Sequence, residues 1–241
     1  MNDLTYDSFF NGKLQVMQQQ KGYRFSIDAV LLARHAGLYK TKTIVDLGTG
    51  CGIIPLILAF ENPNTIISGI EIQKDLADIA VSNVAVNKMK ERINILCQDM
   101  KTLTCKDIPK PVDMVVTNPP YRKLNSGRIN PDSQKAVARH EIKISLSDVL
   151  LTAKKMLDIS GIFLIIYPVE RLTELLSMMH NLKLEPKYLR MIYSRYNSDA
   201  KLVIAEGVKG GQPGIKIGSP LVIYESEGQY TDEVNKIFMQ Y

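Results

Sequence analysis

TIVDLGTGCGIIPLILAF, residues 43–60, begins as a β-branched run, breaks at three alternating glycines and resumes as an apolar segment long enough for a helix. In a loop between strand and helix, Gly48, Gly50 and Gly52 let the chain turn sharply and let backbone approach a ligand. The helix that follows offers unpaired amide donors at its start. Such a loop suits a nucleoside-containing ligand. A nicotinamide dinucleotide fingerprint runs G-x-G-x-x-G, and here Gly52 comes one place too early for it.

Working outward, short β-branched runs alternate with segments of helical period. TIVDLG (43–48), NTIISGIEI (64–72), RINILCQD (92–99), VDMVVTN (112–118) and GIFLIIYP (161–168) read as strands apolar enough to be covered on both faces. Between them, Leu76, Ile79, Ala80, Asn83 and Val84 share one helical face, as do Val169, Leu172, Leu176 and Met179 further on. Repetition of strand and helix with short connections predicts an α/β fold, a doubly wound and mainly parallel sheet. Its ligands belong at the carboxyl ends of the strands. Asp46, Glu71 with Ile72, Asp99 with Met100, and Asn118 fall at four successive strand ends, and therefore along one edge of the sheet. Glu71 stands where a carboxylate accepts from ribose hydroxyls, and Asp99 where one accepts from an adenine amine.

Residues 1–42 read as a flank or lid and 43–241 as the main domain. In the flank, Ser26 is an expected N-cap and Gly37 an expected C′ stop for a helix burying Ile27, Val30 and Leu31. In the final third, KGGQPG (209–214) is the most flexible stretch, between two strand-like runs, and a helix closes the chain near 231–240.

Composition narrows the class. An apolar fraction of 45% and a charged fraction of 23% are ordinary globular values. No apolar run approaches the ~20 residues that span a bilayer, and the N-terminus is acidic where a secretory signal is basic, so a cytoplasmic, membrane-free protein is expected. Cys51, Cys97 and Cys105 lack metal-site spacing, and His35, His140 and His180 lie far apart, which predicts no metal. A monomer is the expectation. The net charge is +5, but residues 122–145 carry six basic side chains against two acidic, and 183–218 carry seven against three. That clustering suits a polyanion, with Arg122, Lys123, Arg139, Lys209 and Lys216 as candidate nucleic-acid contacts.

With its strand-end residues in this order, the segment 43–168 resembles the class I S-adenosylmethionine-dependent methyltransferases. The resemblance implies a Rossmann-like seven-stranded sheet with helices on both faces. It also implies a cofactor lying across Asp46, Gly48, Gly50, Gly52, Glu71, Ile72, Asp99, Met100 and Asn118. The tetrad Asn118, Pro119, Pro120 and Tyr121 matches the motif by which amino-methyltransferases of that fold hold a planar amine. An adenine or amide nitrogen is a poor nucleophile because its lone pair is delocalised. The side-chain oxygen of Asn118 and the carbonyl of Pro119 can each accept one N–H, favouring the charge that builds on nitrogen. The prolines restrict φ and donate no competing hydrogen, and Tyr121 offers a face for a base to stack on.

Enzymes with such tetrads methylate adenine in DNA, purines in RNA or glutamine in release factors. DNA enzymes need a target-recognition region for which the residues after Tyr121 leave little room. Glutamine enzymes usually carry a longer N-terminal domain. GYRFSIDAVLLARHA (22–36), NPPYRK (118–123), NPDSQKAVARHEI (130–142) and GSPLVIYESEGQYTDEV (218–234) together resemble the bacterial tRNA1(Val) (adenine(37)-N6)-methyltransferases. That resemblance implies tRNA as partner and a pocket closed with help from Arg24, Phe25, Ser26 and Asp28. Asp28 equally fits a carboxylate complementing the dipole of its own helix. Arg139 lies either near the target base or in an ion pair with Glu141, and His140 receives no role. Methylation of a protein glutamine, a nucleotide-dependent oxidoreductase and a silent binding module stay open at this point.

Overall fold

The computed structural model describes residues 4–20, 24–120 and 144–239. Two strands precede the first helix, β1 (Leu4–Phe9) and β2 (Leu14–Gln19), paired antiparallel as a hairpin. In β2, Leu14, Val16 and Gln18 alternate inward, the period of two that a half-buried strand requires. Helix α1 (Ile27–Ala36) follows and buries Val30 and Leu31 as expected, with Ile27 half-buried. Gly37 ends it at φ −62°, ψ −15°, so the left-handed C′ conformation expected there does not form. Room is the reason for the glycine: a Cβ at 37 would run into the carboxylate of Glu61, which is paired with Arg34.

Each strand expected in the first two thirds forms. β3 (Thr43–Leu47) leads through the glycine loop to α2 (Ile53–Glu61), then come β4 (Ile66–Glu71), α3 (Lys74–Val86), β5 (Ile93–Cys97), β6 (Met114–Thr117), α4 (Leu146–Met156) and β7 (Ile162–Pro168). After α5 (Leu172–Asn181) the chain makes two long strands, β8 (Leu184–Tyr193) and β9 (Ala200–Lys209), and short ones at β10 (Lys216–Ile217), β11 (Leu221–Val222), β12 (Tyr224–Ser226) and β13 (Gln229–Tyr230), before α6 (Asp232–Met239).

The main sheet runs β10, β8, β9, β7, β6, β3, β4, β5, with β11 also on β8. β3 to β7 are parallel, and β9 enters antiparallel between β7 and β8. Seven of its nine strands are the set the resemblance implied. The added pair, β10 and β11, lies along the outer side of β8. Strand order reverses between β3 and β6, the switch point where sheets of this kind open a crevice.

Two apolar cores cover the two faces. One contains α1, α2, β2 and the inward side of β3, and the other α4, α5 and the opposite side. The hairpin is fastened by amides as well as by packing. Asn83, fully buried on α3, accepts from Met17 N (2.7 Å) and donates to Met17 O (2.8 Å) and Cys51 O (2.9 Å). One turn along, Asn87 accepts from Gln15 N and donates to Gln15 O (2.9 and 2.6 Å). Two carboxamides thus take the place of a neighbouring strand for β2, satisfying edge groups that burial would otherwise leave unpaired. On α5 the buried residues are Leu175 and Met179, and Val169 belongs to the 3-10 turn before the helix. The apolar stripe is therefore rotated from the one that spacing suggested.

Candidate active site

Strand register brings the expected positions together. Leu47 pairs with both Ile70 and Thr117, and Glu71 pairs with Cys97, so the last residues of four parallel strands stand level. Gly48, Glu71 and Asn118 lie at this line, and Asp99 two residues beyond it. The glycine loop crosses between β3 and β4 by donating Gly48 N and Thr49 N to Ile70 O, each at 2.9 Å.

Gly48, Gly50 and Gly52 all have positive φ, at 77°, 57° and 85°. At Gly52 the constraint is double, since an added Cβ would also lie 3.2 Å from the Cβ of Ala80 on α3. At Gly48 an added Cβ would meet no atom of the described residues within 4 Å. The loop there faces open space, so a ligand can approach its backbone.

Glu71 organises the loop. Its carboxylate accepts Gly50 N–H and Gln73 N–H, each at 2.9 Å, and is 5% exposed. Asp46 is wholly buried, and among the described residues neither of its oxygens has a hydrogen-bond partner. The nearby Thr49 hydroxyl lowers the Asp46 pKa without reaching hydrogen-bonding geometry. Burial, with a further contribution from the charge of Glu71, pushes the Asp46 carboxyl up to about 7. A buried, unpartnered carboxylate at a strand end is costly unless a ligand supplies the missing donors. The residues present fit a ligand with a ribose and a cationic amine: Asp46 for the amine, Glu71 for the hydroxyls and Gly48 for close approach.

Asp99 caps the 3-10 turn Met100–Thr102, accepting from Lys101 N at 3.0 Å. Met100 is buried beneath it and Ile72 half-buried beside Glu71. Asn118 is half-buried, Pro119 buried and Pro120 exposed. Thr117, just before the tetrad, was not singled out by sequence. It is fully buried and donates its hydroxyl to Leu47 O at 2.7 Å, fixing the end of β6 to the residue that opens the glycine loop. A threonine closing an apolar strand ahead of Asn-Pro was the available signal.

In the flank, Arg24 and Phe25 make contacts with β1. Arg24 donates to Thr5 Oγ1 at 2.8 Å and pairs with Asp7 at 3.5 Å, both on β1. The Phe25 ring lies 5.5 Å from that of Phe9. Asp28, in the first turn of α1, has its pKa raised by burial, partly offset by the Ser26 hydroxyl.

Lys209 sits at the other edge of the sheet. Because β9 runs antiparallel, its last residues stand beside Ile162, the start of β7. There the Lys209 ammonium donates to Leu157 O at 2.6 Å. In KGGQPG, Gly210 N donates to Lys183 O (2.9 Å) and the Lys187 ammonium donates to Gln212 O (3.0 Å), so the first part of the stretch expected to be most flexible is tied to the sheet. Lys216 is exposed on β10, at the outer side of the sheet. Tyr121, Arg122, Lys123 and Arg139 lie outside the described residues. Among the described residues no group of histidine, cysteine or acidic side chains is arranged to hold a metal, and no helix is long and apolar enough to cross a membrane.

The sequence profile of the Methyltransferase small domain family matches residues 23–168. The chain is 29% identical over 220 residues to a tRNA1(Val) (adenine(37)-N6)-methyltransferase of Pedobacter heparinus, covering 91% of each chain. It is 27% identical to one from Aeromonas salmonicida, with 85% of this chain and 84% of that one covered. Among solved structures it resembles a predicted O-methyltransferase from Agrobacterium tumefaciens, with a TM-score of 0.67 at 18% identity, covering 87% of this chain and 94% of that one. It also resembles a 16S rRNA N2 methyltransferase from T. thermophilus in complex with AdoMet and guanosine, with a TM-score of 0.59 at 15% identity, covering 86% of this chain and 50% of that one. Likeness at these identities establishes the Rossmann-like fold.

Proposed function

The chain belongs to the Methyltransferase small domain family, and from that premise we propose that it transfers a methyl group from S-adenosylmethionine to the exocyclic N6 amine of an adenine in tRNA, at position 37 beside the anticodon. The observation that carries this reading is the alignment of Asp46, the glycine loop, Glu71 and Asn118-Pro119 along one sheet edge. The full-length similarity to tRNA adenine-N6 enzymes supports the choice of substrate.

S-adenosylmethionine supplies an activated methyl group on a sulfonium. Asp46, Gly48, Gly50, Gly52, Glu71, Ile72, Asp99 and Met100 would hold it. Asn118 and Pro119 work on the other reactant. Their two oxygens accept the amine hydrogens, orient the nitrogen and favour the positive charge that develops on it. The methylated ammonium is acidic enough to lose its proton to water, so the chemistry requires no general base. Position 37 lies in a single-stranded loop, where a base can leave its stack at modest cost. Such a reaction belongs in the cytoplasm.

Thr117 is a positioning residue in this scheme. Thr117→Val keeps the shape of the side chain and removes its hydrogen bond to Leu47 O. Turnover is expected to fall about tenfold while cofactor affinity by calorimetry stays within about twofold, because only the offset between acceptor and donor loops is loosened. Unchanged turnover would free Thr117 from that role.

The direct test of function is mass spectrometry of tRNA from a strain lacking the gene. One N6-methyladenosine next to an anticodon should vanish and return on complementation. An unchanged tRNA profile together with label transferred to purified release factor would favour the glutamine reading instead.

A further inference from the structure

A second feature of the same sheet edge remains unused by the reaction. β8 runs parallel to β7, so Tyr193 and the turn 194–199 emerge at the carboxyl edge that carries Asn118. Three strand spacings separate β6 from β8, about 14 Å. The turn is braced: Arg195 N donates to Ser198 Oγ (3.1 Å), while the Ser198 amide and hydroxyl donate to Arg195 O (3.1 and 2.8 Å). It holds Tyr196 outward, 69% exposed.

Tyr193 and Tyr196 line a cleft of about 490 Å³ together with Pro220, Glu225, Asp232 and Glu233. Glu233 is engaged by Arg190 at 2.5 Å. Glu225 and Asp232 take part in no ion pair among the described residues, and neither do the exposed Arg195 and Lys201 at the turn.

Exposed tyrosines, carboxylates that line the cleft, and unpaired cations on the adjoining turn and strand are groups that a single-stranded nucleotide can use. Aromatic rings stack on a base, carboxylates accept from exocyclic amines, and Arg195 and Lys201 meet phosphate. Resting on the RNA reading above, we infer that this cleft takes a second unstacked nucleotide of the same tRNA loop, one whose base carries an exocyclic amine, while the target adenine occupies the tetrad. The structure thereby moves the RNA contact from Lys209, which is hydrogen-bonded at the opposite edge, to the β8–β9 turn.

The test uses the full chain and a fluorescently labelled anticodon stem-loop, with binding read by anisotropy and methylation read in parallel. Tyr196→Ala should weaken stem-loop binding about tenfold and raise KM similarly, with kcat at saturation and S-adenosylmethionine affinity unchanged. Tyr196→Phe, which keeps the ring, should bind within about twofold of wild type. Replacing loop bases one at a time by abasic sites should reveal one position that weakens wild type but not Tyr196→Ala. Equal binding by wild type and Tyr196→Ala would overturn the cleft while leaving methylation at the tetrad standing. Tyr196-dependent binding without any methylation would support the cleft and overturn the assignment of the reaction. An uracil bound as well as an adenine or cytosine at that position would remove the carboxylates from it.

Discussion

Asn118→Ala is expected to abolish methyl transfer, lowering kcat by about two to three orders of magnitude or more, while S-adenosylmethionine affinity by calorimetry stays within about twofold of wild type. The size follows from what removal of one preorganised hydrogen-bonding group costs when it acts on charge developing in a transition state. The separation of the two readouts follows from the fold. Asn118 closes β6, whereas the loop that would hold the cofactor hangs between β3 and β4, through Ile70 O and Glu71. The neighbouring tether, Thr117 to Leu47 O, is untouched by the substitution, and Asn118 itself is only half-buried, so the melting temperature should hardly move. Asn118→Asp is the informative companion. It preserves an acceptor oxygen of nearly the same reach and should recover part of the lost rate. A variant that loses cofactor binding together with turnover would assign Asn118 to the cofactor instead of the amine.

Asp46→Asn should stabilise the ligand-free protein at pH 8 and cost it one to two orders of magnitude in cofactor affinity. The stability effect comes from the proton. In the folded chain the Asp46 carboxyl titrates at about 7, against an ordinary value of 3.8, because burial disfavours its charge and Glu71 adds to the effect. Between those values folding takes up a proton, so stability falls as pH rises through the window and the whole penalty is present above about 7. Allowing for relaxation around a wholly buried site, that penalty is on the order of 2–4 kcal/mol. Asparagine carries no charge and escapes it. Melting curves of wild type and variant should therefore diverge most at pH 8 and converge only as the pH falls to about 4, where Asp46 is protonated in the folded and the unfolded chain alike. The affinity loss is measured by calorimetry and reflects the missing charge-assisted bond to a cationic amine. Parallel pH profiles for the two proteins would show that Asp46 is ionised in the folded chain throughout. Retained affinity would show that it serves the loop and not the ligand.

How far the site could be seen in the chain depends on the range of the interactions involved. Gly48, Gly50 and Gly52 stand out because their positive φ values are a local demand that glycine meets. Asp46, Glu71, Asp99 and Asn118 stand out because each ends a strand whose period can be counted. Asn83 gave a weaker sign, a polar residue on an apolar face. Its three bonds to Met17 and Cys51 became visible only when α3 and β2 were laid side by side, with 66 positions of chain between Met17 and Asn83.

Lys209 marks the boundary most clearly. Charge and the neighbouring glycines made it look like a mobile RNA contact, yet its ammonium caps the carbonyl of Leu157 on the far edge of the sheet. Nothing local distinguishes a strand that runs up from one that runs down, because the alternation of side chains is the same in both. Local periodicity and loop chemistry therefore determined the strands, the glycine turn and the order of carboxylates along one edge. The direction of β9, the turn that carries Tyr196 to the working edge, and the bond from Thr117 to β3 were decided in the folded sheet, where hydrogen bonding between strands distant in sequence chooses each partner.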